Sequence, residues 1–232
     1  MATPYVTHIE DRVHSTQDFA RTEYLMAGNS MPVLVIARSQ DAGRGRNDNP
    51  WWNPPNAMLA SVALASPDLE HVTLAPLVAG IAARDAIASQ AGVATTLKWP
   101  NDVLVGDRKV GGILAERDDD CLVVGCGVNL WWPEAPEGAA GLFDNDPGPR
   151  AGIDLALAWA ARLLAAVDGL PASFDRTAYV EICDTIGRRI TWTPAGEGRA
   201  VGITVDGALV VETSQGQQVL RSGAVHHVRQ TP

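Results

Sequence analysis

Apolar residues recur along this chain in two rhythms, and their alternation predicts a mixed fold. Tyr5 to Glu10 alternates in period two, as a first half-buried strand does. Ser15-Thr16-Gln17-Asp18 opens a helix reaching about Ala27, with Ser15 or Thr16 as N-cap and Asp18 suited to a helix start. Gly28-Asn29-Ser30 stops it. Val33 to Ala37 is an unbroken apolar run, read as a buried strand, and Ala57 to Ala65 as a central one. Leu74 to Gln90 carries Leu74, Leu77, Val78 and Ile81 at helical spacing and ends at Gly92. Thr95 to Trp99 is a short strand broken by Pro100-Asn101-Asp102. Val103 to Val105 and Lys109 to Glu116 form a hairpin turned at Gly106-Asp107, and Cys121 to Val128 is another apolar strand. Trp131 to Arg150 reads as loop. Helices follow over Ile153 to Val167 and Phe174 to Asp184.

From Gly187 the rhythm shortens. Ile190 to Thr193, Ala200 to Val205, Ala208 to Glu212, Gln217 to Leu220 and Val225 to Arg229 are short runs between turns, with Asp206-Gly207 a two-residue hairpin signal. Strands this short and this close predict a small barrel. A domain boundary is placed near Asp184, giving units 1–184 and 185–232.

The chain has 232 residues, 46% of them hydrophobic, enough for one large domain or a medium domain with a small companion. The net charge of -9 speaks against generic nucleic-acid binding, which wants a basic face. No apolar run reaches the length of a membrane span, and the N-terminus lacks a signal-peptide pattern. A cytoplasmic protein without a membrane partner is expected. The three cysteines, Cys121, Cys126 and Cys183, contain no C-x-x-C pair and read as buried thiols. In one strand, Cys121 and Cys126 point to opposite faces because their separation is odd. The histidines show no metal-ligand spacing.

Candidate chemistry sits at strand ends. Gly43-Arg44-Gly45-Arg46 pairs conformational freedom with planar cationic forks, which suits either an anion cradle or a solvated turn. The long polar segment Asn47 to Asn56 is a surface loop or a lid. Lys98-Trp99-Pro100-Asn101-Asp102 gathers a cation, an amide and a carboxylate. If the following hairpin pairs, Lys98, Asp102 and Lys109 converge on one site suited to a carboxylate and a triphosphate, with Asp102 available to magnesium. The alternative is a surface ion pair of Lys98 with Asp102 and a solvated Lys109. Gly125-Cys126-Gly127-Val128-Asn129 permits close ligand approach or is plain strand-end chemistry. Ser15-Thr16-Gln17 is a helix cap or a binding site for a polar ligand head.

Taken in order, Ser15-Thr16-Gln17, Gln40 before Gly43-Arg44-Gly45-Arg46, Lys98-Trp99-Pro100-Asn101-Asp102, Lys109-Val-Gly-Gly-Ile-Leu114 and Gly125-Cys-Gly-Val-Asn129 resemble the biotin–protein ligases. The resemblance spans Ser15 to Asn129 and continues weakly from Gly187, where Gly223 to Arg229 is similar to the family's closing strand. It implies an α+β fold: a mixed, mostly antiparallel sheet flanked by helices, class II synthetase-like, with a small SH3-like β-barrel at the C-terminal end. It implies a two-step reaction, in which biotin's carboxylate attacks the α-phosphate of ATP with magnesium, and a lysine of a biotin carboxyl carrier domain then takes the biotinyl group. Ser15, Thr16, Gln17, Gln40, Gly43 and Gly45 would then serve biotin. Arg44 and Arg46 would hold the carboxylate and phosphates, and Lys109 would reach both. Gly111, Gly112 and Gly127 would line the channel. Lys98, Asn101 and Asp102 would serve ATP and magnesium, Asn129 would lie near adenine, and Trp51 would close over the ligand.

Two positions depart from the family's pattern. A further Gly-Arg usually follows Gly-Arg-Gly-Arg, where this chain has Asn47-Asp48-Asn49-Pro50. A charged hydrogen bond to phosphate contributes about 1.5–3 kcal/mol, so the loop is expected to retain an adenylate less tightly, with Pro50 stiffening it in part. Leu59 stands where an aromatic residue is usual. A DNA-binding winged helix before Tyr5, which some relatives carry, is not expected, nor is a repressor role. The chain is expected to act as a monomer or homodimer. A lipoate or octanoyl ligase of the same fold, and a non-catalytic biotin- or nucleotide-binding protein, are the competing readings.

Overall fold

Two sheets organise the chain. The computed structural model describes residues 3–46, 49–66, 71–221 and 223–228. Asn47 and Asp48 of the unusual loop, and Arg229 of the expected closing strand, lie outside the described residues.

The larger sheet contains β1 (Val6–Glu10), β2 (Val33–Ala37), β3 (Asn56–Ala65), β4 (Thr96–Lys98), β5 (Asp102–Val105), β6 (Arg108–Asp118) and β7 (Cys121–Trp131). Their order across the sheet is β1-β2-β3-β7-β6-β5-β4. β1 and β2 run parallel and the other neighbours antiparallel. Helix α1 (Thr16–Met26) covers one face, and α2 (Ala75–Ala91) and α3 (Ala151–Asp168) cover the other. Because side chains alternate along a strand, β2 feeds both layers. Val33 and Val35 pack under α1, while Leu34 and Ile36 join the larger core beneath α2 and α3. All five β2 residues are buried, which explains the unbroken apolar run. Cys121 and Cys126 fall into these two separate clusters, on opposite faces as expected.

Several boundaries differ from the sequence reading. β7 continues past Val128 to Trp131, and β9 begins at Gly196 rather than Ala200. Main-chain pairing extends both ladders, in β9 through Gly196 to Arg199, whose side chains carry no strand signal. The stretch Val72–Ala91 is long and apolar enough, by length and composition, to cross a membrane. It is instead a core helix: Leu74, Ala79, Ala83, Ala86 and Ile87 are essentially buried. Alanines let α2 lie close to α3, where Trp159 is wholly buried and its indole N–H reaches Ala79 O at 3.2 Å. Truncating such a tryptophan costs about 3–5 kcal/mol. Gly92 caps α2 with φ of 66° in the left-handed region, donating its N–H to Ala88 O.

After the short helix α4 (Arg176–Ile182) comes the second sheet, β8 (Arg189–Trp192), β9 (Gly196–Ile203), β10 (Leu209–Thr213), β11 (Gly216–Leu220) and β12 (Val225–His227). It is fully antiparallel in the order β11-β10-β9-β8-β12. The Asp206-Gly207 signal marks a wider link than a two-residue turn, since Ile203 pairs with Leu209. Thr204 and Ala208 close this link with three hydrogen bonds: Thr204 N–H to Ala208 O at 2.8 Å, Ala208 N–H to Thr204 Oγ1 at 2.9 Å, and Thr204 Oγ1–H to Ala208 O at 3.3 Å. The extra length serves docking. Gly207 packs so closely on α2 that a Cβ there would lie 2.8 Å from Leu77 Cδ1, and its carbonyl accepts the Trp99 indole N–H at 2.9 Å. Ile190, Ala200, Ile203, Leu209, Val211 and Val225 join the same core as the larger sheet.

Candidate functional site

A cavity of about 270 Å³ opens above the centre of the large sheet, where α1, the 43–51 loop, the β4–β5 turn, strands β3, β6 and β7, and the start of β12 meet. Its polar wall is the first turn of α1. Ser15 caps the helix, its hydroxyl accepting from Asp18 N–H at 3.5 Å. Thr16 donates both its backbone N–H (2.8 Å) and its hydroxyl (3.0 Å) to Gln40 Oε1, and accepts from the Ser61 hydroxyl at 2.8 Å. Gln17 Nε2 donates to Leu114 O and to Glu116, each at 3.3 Å, which turns Oε1 the other way. That oxygen is buried with no hydrogen-bond partner. An unpaired buried acceptor costs about 1–3 kcal/mol, and an N–H on a ligand would satisfy it.

The floor is made by glycines on β6 and β7. A Cβ at Gly127 would come within 2.4 Å of the Trp51 ring, and one at Gly112 within 3.3 Å of both Trp51 and Lys109 Nζ. The indole therefore rests on the glycine floor itself, with its N–H buried and unpartnered. A ligand lying on this floor must lift Trp51, which would then cover it. Gly111 does not line the cavity. β-strand alternation turns it to the other face, where a Cβ would sit 2.9 Å from Gly127 O, so its role is close strand packing. Gly43 also stands behind the wall, its carbonyl accepting the Trp51 backbone N–H at 2.8 Å and its Cα packing on Gln40. Gly45 lines the cavity. Asn129 is likewise separated from the set. It is buried, and its amide donates to Ala140 O at 3.0 Å, fastening the loop after β7.

The cations are arranged in a graded series. Arg44 donates two hydrogen bonds to Asp18, at 2.7 and 2.8 Å, and lies 3.7 Å from Glu116. The guanidinium holds the Asp18 carboxyl below the usual carboxylate range, and Asp18 raises Arg44 in turn. Lys109 Nζ lies 2.6 Å from Asp102 Oδ1 across the β5–β6 hairpin. The hairpin thus brings Lys98, Asp102 and Lys109 together, but the ion pair joins Asp102 to Lys109. Lys98, cross-strand from Asp102, makes no ion pair among the described residues. Arg46 reaches only neutral oxygens among its described bonds, Asn101 Oδ1 at 3.3 Å and Gly223 O at 3.4 Å. Burial lowers its pKa, opposed in part by Asp102. Among the described residues, Lys98 and Arg46 are the cavity cations without an ion-pair partner.

Asn49 closes the arginine loop. Its carbonyl accepts the Gly45 N–H at 2.7 Å and its amide donates to Arg46 O at 2.9 Å. Asn101 supports the opposite wall by donating to Ile113 O at 3.0 Å. Four contributors have no counterpart in the sequence reading: Asp18 as partner of Arg44, Glu116, Ser61, and the Ala224–His226 stretch at the cavity mouth. Ser61 carried a usable signal, a lone hydroxyl in the apolar run Ala57 to Ala65. The others depend on tertiary proximity.

Residues 10–129 match the profile of the Biotin/lipoate A/B protein ligase family, and residues 185–228 match the biotin protein ligase C terminal domain. The chain is 32% identical over 223 residues to the biotin--[acetyl-CoA-carboxylase] ligase of Paracoccus denitrificans, covering 87% of this chain and 92% of that protein. It is 31% identical over 219 residues to the enzyme of the same name from Mycobacterium tuberculosis, covering 85% and 79%. The fold is similar to that of the Aquifex aeolicus biotin protein ligase in complex with biotin and ATP, with TM-score 0.80 at 24% identity, covering 97% of this chain and 99% of that one. It is also similar to the Leishmania major biotin protein ligase in complex with biotinyl-5-AMP, with TM-score 0.65 at 27% identity, covering 98% and 100%.

Proposed function

The chain belongs to the biotin/lipoate A/B protein ligase family, and we propose that it is a biotin–protein ligase that forms biotinyl-5'-AMP from biotin and ATP and passes biotin to a carrier lysine. The observation that carries this reading is the pairing, in one cavity, of an unsatisfied buried acceptor at Gln17 with Lys98 and Arg46, cations that have no ion-pair partner among the described residues. Gln17 Oε1 and the Thr16–Ser61–Gln40 network suit the N–H and C=O groups of biotin's ureido ring. Lys98, Arg46 and Lys109 suit its carboxylate and the ATP phosphates.

In the first step a carboxylate oxygen attacks the α-phosphorus. A new P–O bond forms, the α–β P–O bond breaks, and pyrophosphate leaves. Two anions must approach, so fixed cations supply the main catalytic term. Lys109 is the bridging group between carboxylate and α-phosphate, and Lys98 and Arg46 take the triphosphate. In the second step a carrier lysine amine attacks the mixed anhydride's carbonyl carbon, forming the amide, losing a proton and expelling AMP. Trp51 shields the water-sensitive adenylate.

Magnesium fits this donor set only as a companion of the nucleotide. Asp102 is the one carboxylate lining the cavity among the described residues, and its Oδ1 is engaged by Lys109. Magnesium needs few protein oxygens when phosphates hold it, so Asp102 would share it with ATP. Residues 1–184 form the catalytic unit in this reading, and 185–232 the C-terminal unit. The carrier is a biotin carboxyl carrier domain of a carboxylase, and the site of action is the cytoplasm. The test is transfer: incubation with biotin, ATP, magnesium and a carrier domain should give a streptavidin-reactive carrier, and a carrier with its target lysine changed to arginine should give none. An unlabelled wild-type carrier would overturn the reading.

A further inference from the structure

Lys98 is a cavity cation with no side-chain hydrogen bond or ion pair among the described residues, and it sits on β4, the edge strand of the large sheet. Two backbone anchors hold the residues beside it. Leu97 O accepts the Asp184 N–H at 2.7 Å, and the Trp99 N–H donates to Thr185 Oγ1 at 3.0 Å. The 183–185 segment therefore acts as a cover strand for this edge, with Leu97 bridged to Cys183.

Thr185 is wholly buried, and having accepted from Trp99 it has one proton to place. Two groups lie within reach: the Cys183 thiol, a weak acceptor, and His227 Nε2, at 3.1 Å, on the last strand of the C-terminal sheet, the stronger one. On the imidazole's other side, Nδ1 faces Asp184 Oδ2 at 3.5 Å. That oxygen is buried and makes no hydrogen bond, while Asp184 Oδ1 is held by Arg188 at 2.5 Å. The two tautomers differ sharply here. With the proton on Nε2, a bare Nδ1 lone pair would face a carboxylate. With the proton on Nδ1, the N–H faces the carboxylate and Nε2 accepts from Thr185.

We propose that His227 is a positioning residue for Lys98, acting through Thr185 and the Trp99 amide. In this relay the His227 Nδ1–H points at the Asp184 carboxylate, the Thr185 hydroxyl donates to Nε2, and the Trp99 N–H donates to Thr185. It ties the closing strand of the C-terminal sheet to the backbone on which Lys98 is carried. The C-terminal sheet thereby sets where one phosphate-side cation stands. Lys98, Arg188 and Asp102 are the other charged groups around this imidazole, besides Asp184. A neutral ring adds no repulsion toward Lys98.

This inference rests on the adenylating reading of the cavity, and its test separates the two. Biotin-dependent pyrophosphate release is measured for wild type, H227A, H227Q and T185V, with KM for ATP and for biotin taken separately. H227A should raise KM for ATP about tenfold, the loss of one hydrogen-bonded link, and leave KM for biotin within about twofold. H227Q should recover most of the loss, since an amide can accept from Thr185 and donate toward Asp184. T185V should match H227A, and the double variant should be no worse than either. An unchanged KM for ATP in H227A overturns the proposal, as does a parallel rise of both KM values with no rescue by glutamine. The second readout needs no turnover. The 15N shifts of His227 should show a protonated Nδ1 and a bare Nε2, and the opposite tautomer overturns the relay. A wild-type protein that releases no pyrophosphate overturns the adenylating reading, and the relay is then decided by the 15N shifts alone.

Discussion

Adding one methyl group to either of two glycines on the same pair of strands should have opposite consequences. At Gly127 a Cβ would lie 2.4, 2.7 and 2.8 Å from three atoms of the Trp51 ring. Carbon atoms settle at about 3.5–4.0 Å, so the indole must retreat by roughly 1 Å or leave the floor. Trp51 belongs to a loop and can move, so G127A should leave the fold intact while filling the surface on which ligand and indole lie. At Gly111 the nearest atom is main chain, Gly127 O at 2.9 Å, with Val128 Cγ2 at 3.3 Å. Neither can yield without parting β6 from β7. Overpacking of this kind costs about 1–3 kcal/mol, and for a chain of this size each kcal/mol lowers Tm by about 2–4 °C. G111A should therefore lose about 2–12 °C in thermal unfolding. G127A should stay within about 2 °C of wild type but bind biotin at least about tenfold more weakly by calorimetry, equivalent to ~1.4 kcal/mol. The reverse pattern, a destabilised G127A with normal affinity beside a stable G111A that binds poorly, would refute the assignment of the two faces.

The other expectations concern charge. D18N keeps the shape beside Arg44 but removes the carboxylate, so Arg44 becomes available to phosphate and KM for ATP should fall about threefold, ~0.6 kcal/mol, within the net range of an ordinary hydrogen bond. A rise would mean that Asp18 positions Arg44 rather than restraining it. Replacing Asp48 with glycine and Asn49 with arginine restores a Gly-Arg pair in the loop and should slow release of free biotinyl-adenylate. Because Asn49 also closes the loop on Arg46 O, release that is no slower would show that the turn matters more than the added cation. Burial, Lys98 and Arg188 depress His227 from the ordinary 6.5 to about 4. Between those values the unfolded chain binds the proton and the folded one does not, so stability is fully present above pH 6.5 and falls as pH drops towards 4, by at most about 1.4 kcal/mol per pH unit. Urea unfolding at pH 7 and 4.5 should show a smaller acid loss in H227Q than in wild type, and an equal loss would contradict this origin.

Much of this architecture was legible because it follows from local rules. Burial of β2 on both faces made Val33 to Ala37 uniformly apolar, and Gly92 marked the end of α2 by its positive φ. The odd spacing of Cys121 and Cys126 placed them on opposite faces. The motif residues at strand ends were also legible, since Lys98, Asp102 and Lys109 meet once the hairpin pairs. What escaped was whatever depends on one strand residue facing in and its neighbour facing out near a register shift. Gly111 turned away from the cavity for that reason, beside the irregularity between Val103 and Leu104. Asn129 was drawn off by a loop carbonyl, Ala140 O, that no sequence rule brings to it. The partnership of Arg44 with Asp18, and the reach of β12 to the cavity mouth, depend on contacts between segments far apart in the chain.

The central claim is that the cavity joins a ureido-bearing carboxylate to a nucleotide. Pyrophosphate release from ATP and magnesium, followed with biotin, lipoate or octanoate as the sole acid, tests it most directly. Release is expected with biotin alone, together with biotinyl-adenylate recoverable from the protein and lost in K109A. Release driven by lipoate or octanoate but not by biotin would contradict it, as would tight biotin binding with no pyrophosphate formed.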